Sequence, residues 1–219
     1  GSYGPLPLLN LHAKAGRSYR VANSDENAFR SGPAPLEAQT SRDLELGATL
    51  GKAGSQLGLR LFRHAIDNEI FFDPTIAWGV NTNLDPTRRE GAEIDAQARI
   101  GAGWRLTASL QHVGAKFTEG PNAGREMVLV PKNTATARLS WVPANGHSAD
   151  IGVQWADSQR FGDDFTNSCS ARIPAYTVLD ARYARRIGPW EMALSGFNLA
   201  DKRYYRNAFL CSAGIYPGD

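Results

Sequence analysis

The feature that most constrains this chain is an alternation of apolar and polar residues that recurs in nine segments of its 219 residues. The clearest segment is 92–100, where every even position is apolar and every odd position is polar. Successive side chains of a β-strand point to opposite faces, so this period indicates strands with one apolar and one polar face. The remaining segments are 9–15, 44–50, a segment from Leu57, 104–110, 134–141, 149–155, 177–183 and 190–194.

In the segment that begins at Leu57, the alternation changes phase between Leu61 and Phe62. A β-bulge adds one residue to a strand and thereby exchanges the faces of the side chains that follow. We therefore expect a β-bulge at this point of the strand.

The connections between the segments are alternately short and long. The short ones lie at 52–55, 101–103, 143–146 and 188–189, and the long polar ones at 18–39, 69–87, 118–132 and 162–174, with another from about 203. Consecutive antiparallel hairpins place all the short turns at one end and all the long loops at the other. This order predicts an all-β fold: an antiparallel up-and-down transmembrane β-barrel, of which this chain supplies about nine strands.

Composition excludes some other classes of protein. A formal charge of +2 offers neither a basic stripe for nucleic acid nor an acidic tail. No run of about 18 apolar residues is present, so no transmembrane helix is predicted. A β-strand crosses a membrane with only about ten alternating residues, so the lack of a long apolar run does not exclude a membrane protein.

The two faces of the predicted strands differ in a way that favours a membrane. Three of the five tryptophans lie on the apolar face beside short turns, at Trp104, Trp141 and Trp190. Tryptophan at one level is typical of the aromatic girdle at a membrane–water interface. A soluble sheet with one wet face is the alternative. The charges of the polar face are Asp43, Glu45, Glu93, Asp95, Arg99, Arg105, Arg138, Asp180, Arg182 and Glu191.

Four short motifs follow one another along the chain. They are Gly16–Arg20, Thr40–Gly47, Asn83 with Arg88–Glu93, and Asn198–Tyr204, which reads N-L-A-D-K-R-Y. Each motif alone is weak, whereas four in one order on predicted strands are specific. From about residue 10 to the last residue, the chain resembles the C-terminal part of the β-barrel of TonB-dependent outer-membrane receptors.

The resemblance implies a barrel of about 22 strands that is filled by an N-terminal plug. In that family the plug carries the segment that receives energy from the TonB–ExbB–ExbD complex. We expect residues 1–2 to be the remnant of a cloning tag, and 3–219 to be the C-terminal portion of the barrel. The plug and the last strand are expected to lie outside this chain.

The resemblance also implies a function. It implies ligand-gated, TonB-dependent uptake of a metal complex through the outer membrane of a Gram-negative bacterium. A ferric siderophore is the first expectation, with cobalamin or haem as alternatives. An outer-membrane barrel enzyme and a soluble β-rich binding module are further alternatives, but His112 and His147 have no evident catalytic partner in register. No enzymatic role and no resident cofactor or metal are expected.

Aromatic and basic residues in the long loops are the candidates for binding such a ligand. Arginine and aromatic rings bind anionic chelates through charge-assisted hydrogen bonds and stacking. The alternative for each is a role in loop packing or in an interfacial belt. The candidates are Phe71, Phe72, Trp78, Arg125, Arg160 and Phe161.

Two glutamates of the predicted inner face, Glu45 and Glu93, match strand glutamates of the family. The resemblance implies that they hydrogen-bond to the plug. Hydration by water in the barrel lumen is the alternative.

The two cysteines, Cys169 and Cys211, both fall in long loops and therefore at the same end of the barrel. One hairpin separates these loops, so they are neighbours. An outer-membrane protein folds through the oxidising periplasm, where disulfides form and persist. We therefore expect a Cys169–Cys211 disulfide, with two free thiols as the alternative.

Overall fold

The computed structural model describes residues 1–6, 8–52, 54–76, 79–211 and 216–217. No helix in these ranges is long and apolar enough to span a membrane. The elements are β1 (Ser2–Leu6), β2 (Leu9–Arg20), α1 (Ser24–Ala28), β3 (Gln39–Lys52), β4 (Ser55–Asp67), β5 (Ile70–Asp73), β6 (Val80–Asn83), β7 (Thr87–Arg99), β8 (Trp104–Phe117), β9 (Asn133–Trp141), β10 (His147–Ala156), β11 (Tyr176–Ile187), β12 (Trp190–Gly196), β13 (Ala208–Phe209) and β14 (Tyr216–Pro217).

Ten of the strands form one antiparallel sheet in the order β1-β2-β3-β4-β7-β8-β9-β10-β11-β12. Each strand pairs with the next one in that order, so the sheet is an up-and-down meander. In the described ranges β1 does not pair with β12, and the sheet is therefore a partial, unclosed barrel wall. Two small sheets, β5–β6 and β13–β14, lie outside it.

The nine predicted strands correspond to β2–β4 and β7–β12, and the prediction missed a tenth, β1. Ser2 is the first residue of β1 and pairs with His12. Pairing of β1 requires only backbone groups, so a strand can form without the alternation that marked the others. Pro5 lies in this edge strand, which is where a sheet tolerates proline.

The predicted β-bulge in β4 is absent. The register of β4 is continuous with β3 from Lys52↔Ser55 to Thr40↔Asp67, so no residue is inserted. Phe62 instead lies on the inner face, 8% exposed, with the guanidinium of Arg60 5.3 Å from its ring centroid. The change of phase in the sequence therefore reflects an apolar ring on the polar face and not a shift of register.

The short turns lie at one end of the sheet and the long loops at the other, as predicted. Gly101 and Gly103 adopt φ of 100° and 82° in the turn between β7 and β8, a left-handed backbone that favours glycine. The long loops contain regular structure of their own, including α1. This helix begins with a capping box, in which Asn23 and Glu26 each accept a hydrogen bond of 2.8 Å from the other's backbone N–H.

The register confirms the predicted faces. Residues paired across antiparallel strands share a face, so Leu46, Leu61 and Ala92 form an apolar row on the outer face. Arg60 and Glu93 pair on the inner face. Trp104 and Trp141 pair on the outer face with ring centroids 6.1 Å apart, and Trp190 is 76% exposed beside the last turn. An apolar outer surface of this extent is suited to lipid.

Leu110 and Gln111 test the two faces, because they are neighbours in β8 and point to opposite sides. Arginine on the lipid-facing side near the bilayer centre costs roughly 2–4 kcal/mol, whereas the lumen side is polar. We expect Leu110→Arg to lower the folding free energy of the intact protein in phospholipid vesicles by that amount, and Gln111→Arg to lower it by less than about 1 kcal/mol. Urea titration of folding measures both, and equal losses would contradict the assigned faces.

Candidate functional site

A hydrophobic core joins three long loops at the loop end of the sheet. Phe165, from the loop between β10 and β11, packs edge-to-face against Phe71 and Phe117, with ring centroids 5.7 and 6.2 Å apart. Each fully buried side chain of this kind stabilises the packed state by about 1.5–3 kcal/mol. The loops are therefore packed on one another. The buried members of this core are Leu84, Ala115, Phe117, Met127 and Val128.

A second buried cluster ties the chain beyond β12 to the same loops. Phe161, Ile173 and Ala208 are each at most 2% exposed and pack together. Leu129 contacts both this cluster and the first core, which connects the two.

Glu126 is the electrostatic centre of the loop end. Its carboxylate accepts hydrogen bonds from Lys132, from Arg160 Nε at 3.0 Å and from Arg172 Nη2 at 2.8 Å. The ammonium of Lys132, followed by the two guanidinium groups, lowers the pKa of Glu126 from 4.5 to about 2, against the opposing effect of burial. Arg160 also bonds the buried Asp164 at 2.7 Å. Three cations and two carboxylates thus join the 118–132 loop to the loop between β10 and β11.

The backbone of Glu126 is held as firmly as its side chain. Its N–H donates to Asn167 Oδ1 at 2.7 Å, and its carbonyl accepts from Asn167 Nδ2 at 3.0 Å. One asparagine side chain therefore satisfies both backbone groups of a loop residue 41 positions away.

The predicted disulfide between Cys169 and Cys211 is confirmed, with Cα atoms 6.4 Å apart and a sequence separation of 42. The backbone N–H of Cys169 donates to Asp164 Oδ1 at 3.1 Å, so the bridge is continuous with the ionic cluster. The disulfide attaches the chain after β12 to the loop between β10 and β11.

Three of the candidate ligand residues lie inside this packing. Phe161 is 2% exposed, and Phe71 packs against the first core. The side chain of Arg160 is 14% exposed and is held by Glu126 and Asp164. In this conformation all three side chains contribute to packing between the loops.

Two other candidates reach the surface. Phe72 is 42% exposed and packs edge-to-face on Phe209, with ring centroids 5.8 Å apart. Arg125 is exposed and donates to the carbonyl of Thr166, and within the described ranges its other guanidinium donors have no protein partner. Trp78 lies outside the described residues.

On the inner face, Glu45 and Glu93 are joined by one arginine. Arg60 Nε donates to Glu93 at 2.9 Å, and Arg60 Nη1 donates to Glu45 at 3.4 Å. Lys14 lies 3.9 Å from Glu45 and extends the row to a fourth strand. Both carboxylates are therefore paired within the wall.

A second inner-face pair, which the sequence did not predict, places His64 Nδ1 2.7 Å from Asp43 Oδ1. Ser41 also donates to this carboxylate at 2.5 Å. An uninterrupted register that starts at the 52–55 turn pairs position 43 with position 64. The β-bulge expected in β4 would have shifted this register by one residue, so the pair was not predicted. No comparable signal existed for Glu126, because two of its three partners, Arg160 and Arg172, come from another loop.

Comparison with known proteins agrees with this geometry. The profile of the family described as "TonB dependent receptor-like, beta-barrel" matches residues 2–199. The chain therefore belongs to this family of receptor barrels, which confirms the resemblance inferred from the four motifs.

Individual relatives cover the chain to different extents. It is 27% identical over 124 residues to the ferrioxamine receptor of Yersinia enterocolitica, an alignment that covers 52% of this chain and 17% of that protein. The ferric yersiniabactin uptake receptor FyuA of Yersinia pestis matches with a TM-score of 0.77 and 18% identity over 98% of this chain and 33% of its own. The ferric-catecholate import receptor Fiu of E. coli K12 matches with a TM-score of 0.73 and 19% identity over 99% and 32%. The chain thus spans about a third of the solved receptors, and these identities establish the fold alone.

The lowered pKa of Glu126 makes the stability of the loop end depend on pH. Its folded pKa is about 2 against 4.5, so its stabilisation is present above pH 4.5 and is lost as pH falls towards 2. We expect the opening free energy of the 118–132 and 157–175 segments to fall by about 2–3 kcal/mol between pH 5 and pH 2. Hydrogen exchange, corrected for the intrinsic rate, measures this.

The matched variants are Glu126→Gln and Glu119→Gln, an exposed carboxylate of the same loop. Glu126→Gln should remove most of the pH dependence and lower protection at pH 7, whereas Glu119→Gln should do neither. Unchanged pH dependence in Glu126→Gln would contradict the assignment.

The disulfide generates a second prediction. A cross-link that closes a loop of this length restricts the unfolded chain by roughly 3–4 kcal/mol in the entropy model. We expect Cys169→Ser/Cys211→Ser to increase protease cleavage within residues 157–175. Reductant should reproduce this effect in the wild-type protein and have no effect on the double variant. Cleavage at the wild-type rate in the double variant would show that packing alone holds the loop.

Proposed function

We propose that this chain is part of the barrel wall of an outer-membrane receptor that takes up a ferric siderophore in a TonB-dependent manner. The proposed role is ligand capture and gated transport, with no bond-making or bond-breaking step by this chain. The observation that carries the proposal is a sheet with an apolar outer face, a charged inner face and interlocked loops at one end.

The packed loop end supports capture of a ligand from that side. Loops joined by two hydrophobic clusters, an ionic centre and a disulfide hold exposed side chains in fixed positions, which reduces the entropy lost on binding. Phe72 and Arg125 are the candidates that reach solvent there. An aromatic ring and a guanidinium with free donors suit an anionic metal chelate.

The proposed cargo rests on the relatives and not on the fold, because one fold hosts many functions. One relative is a ferrioxamine receptor, and two of the similar solved structures are receptors for ferric yersiniabactin and ferric catecholates. A ferric siderophore is therefore the first cargo to test, ahead of haem and cobalamin.

The inner wall supports a role for a plug and the TonB–ExbB–ExbD complex. Glu45 and Glu93 place carboxylate oxygens on the inner face of the sheet, where Arg60 neutralises part of their charge. Such oxygens would accept hydrogen bonds from the backbone or basic side chains of a plug. Because the pairs are only partly buried, exchange of partners during gating costs little.

The test is uptake by intact cells. A strain that lacks the gene should lose ⁵⁵Fe uptake from one ferric siderophore of a panel of ferrioxamine, catecholate and mixed-ligand chelates, and the wild-type gene should restore it. Removal of TonB should abolish the same uptake. Loss of haem or cobalamin uptake instead, or uptake that does not depend on TonB, would contradict the proposal.

Arg125→Ala and Arg185→Ala separate a ligand contact from a general loss of charge. Both arginines are exposed, but Arg125 lies in a long loop and Arg185 lies near the turn end of β11. Loss of one charge-assisted hydrogen bond should raise the apparent KM for the anionic chelate roughly tenfold in Arg125→Ala. Arg185→Ala should match the wild-type protein. Equal effects would exclude Arg125 as a ligand contact.

A further inference from the structure

Basic side chains form a cluster on the outer, lipid-facing surface near the long loops. Arg17, Arg42, Arg88 and Lys116 lie in one register row across β2, β3, β4, β7 and β8, with Ala65 as its member on β4. Arg63 projects from the same face of β4, two residues nearer the turns. We call these five residues, Arg17, Arg42, Arg63, Arg88 and Lys116, the outer basic patch.

The patch has a net positive charge and is accessible. Arg17, Arg42, Arg63 and Lys116 are exposed, and Arg88 is half-buried. Two carboxylates lie among them: Asp67 is 3.5 Å from Arg42, and Glu90 is 3.4 Å from Arg88. Five positive charges therefore face two negative ones.

The position of the patch along the strands places it at a membrane interface. Trp104 and Lys116 lie twelve residues apart on the outer face of β8. At about 3.3 Å per residue and a strand tilt of about 40°, this separation spans about 30 Å along the barrel axis. The apolar band of such barrels is about 25 Å tall. With the tryptophans at one interface, the patch lies at the other, on the side of the long loops.

The positive charges are local to these strands. The outer face of the neighbouring strands at the same end carries Asn133 on β9, Trp155 on β10 and Thr177 on β11. Water alone can solvate an exposed charge at an interface, and solvation by water would not concentrate basic residues on a few adjoining strands. Five basic residues on adjoining strands, four of them arginines, indicate a specific anionic partner.

We propose that the outer basic patch binds the phosphate groups of a phosphorylated glycolipid in the outer leaflet. This inference rests on the outer-membrane placement proposed above and is independent of the cargo. Arginine binds phosphate through two parallel N–H donors, and the four basic residues of the row lie on strands spaced about 4.8 Å apart. The patch is therefore broad enough to contact more than one phosphate, and the apolar rows beneath it, such as Leu46 and Leu61, lie where acyl chains pack.

The test compares lipids and charge-matched variants of the intact protein. Native mass spectrometry would measure the Kd for bis-phosphorylated lipid A, for the same lipid without phosphates and for phosphatidylcholine. The test variant is Arg88→Gln/Lys116→Gln, a register pair within the patch. The control is Lys52→Gln/Arg185→Gln, two exposed basic residues of the outer face at the turn end.

We expect the test variant to raise the Kd for bis-phosphorylated lipid A about tenfold, since each basic residue at an anionic surface contributes several-fold to affinity. The control should change it less than twofold. Removal of both phosphates should weaken binding to the wild-type protein by a similar factor. Equal Kd values for the wild-type protein and the test variant, or equal binding of the dephosphorylated lipid, would overturn the proposal.

A photo-crosslinking residue in place of Arg63 tests the same surface in cells. Capture of the phosphorylated glycolipid supports the proposal, and capture of another protein chain overturns it. Fractionation and ⁵⁵Fe uptake separate the two proposals. A receptor that reaches the outer membrane and imports its cargo but shows no phosphate-dependent lipid binding refutes the patch alone. Absence from the outer-membrane fraction refutes the membrane placement and the patch with it.

Discussion

The antiparallel pairing of backbone groups across the ten-stranded sheet is the constraint on which the other features depend. A bilayer offers no hydrogen-bond partners, so each strand that crosses it must pair its N–H and C=O groups with neighbouring strands. Once the register is set, the face of every side chain follows, because a slip of one residue would exchange the faces. The Leu46 and Leu61 row, the Arg60–Glu93 pair and the outer basic patch are all consequences of one register.

The loop end is organised by different forces. Its backbone is not part of the main sheet, so side chains supply the connections: the clusters around Phe117 and Phe161, the cations around Glu126 and the Cys169–Cys211 bridge. The hydrophobic clusters are buried, the ion pairs around Glu126 are partly buried and charge-assisted, and the disulfide is covalent. The wall is therefore rigid because of its backbone, and the loops are ordered because of their side chains.

The difference between backbone pairing in the wall and side-chain packing in the loops explains which candidate residues could be placed from the sequence. The inner-face charges and the outer tryptophans follow from period and parity, and their predicted faces are confirmed. The loop candidates were chosen by residue type alone, which does not distinguish the exposed Phe72 from the buried Phe161. The β-bulge predicted at Phe62 is absent because an apolar ring on the polar face produces the same sequence pattern as a shift in register.

The sequence by itself determined the class of fold, nine of the ten strands of the sheet, the end at which each loop lies, and the pairing of two cysteines. These properties depend on local alternation and on the order of segments along the chain, and both can be read directly from the linear sequence. Only the tertiary structure decided that β1 joins the sheet, that His64 pairs with Asp43, and that Glu126 collects three cations. It also aligned Arg17, Arg42, Arg88 and Lys116 in one row. Contacts between residues distant in sequence are set by register and loop packing, and no local pattern of residues encodes them.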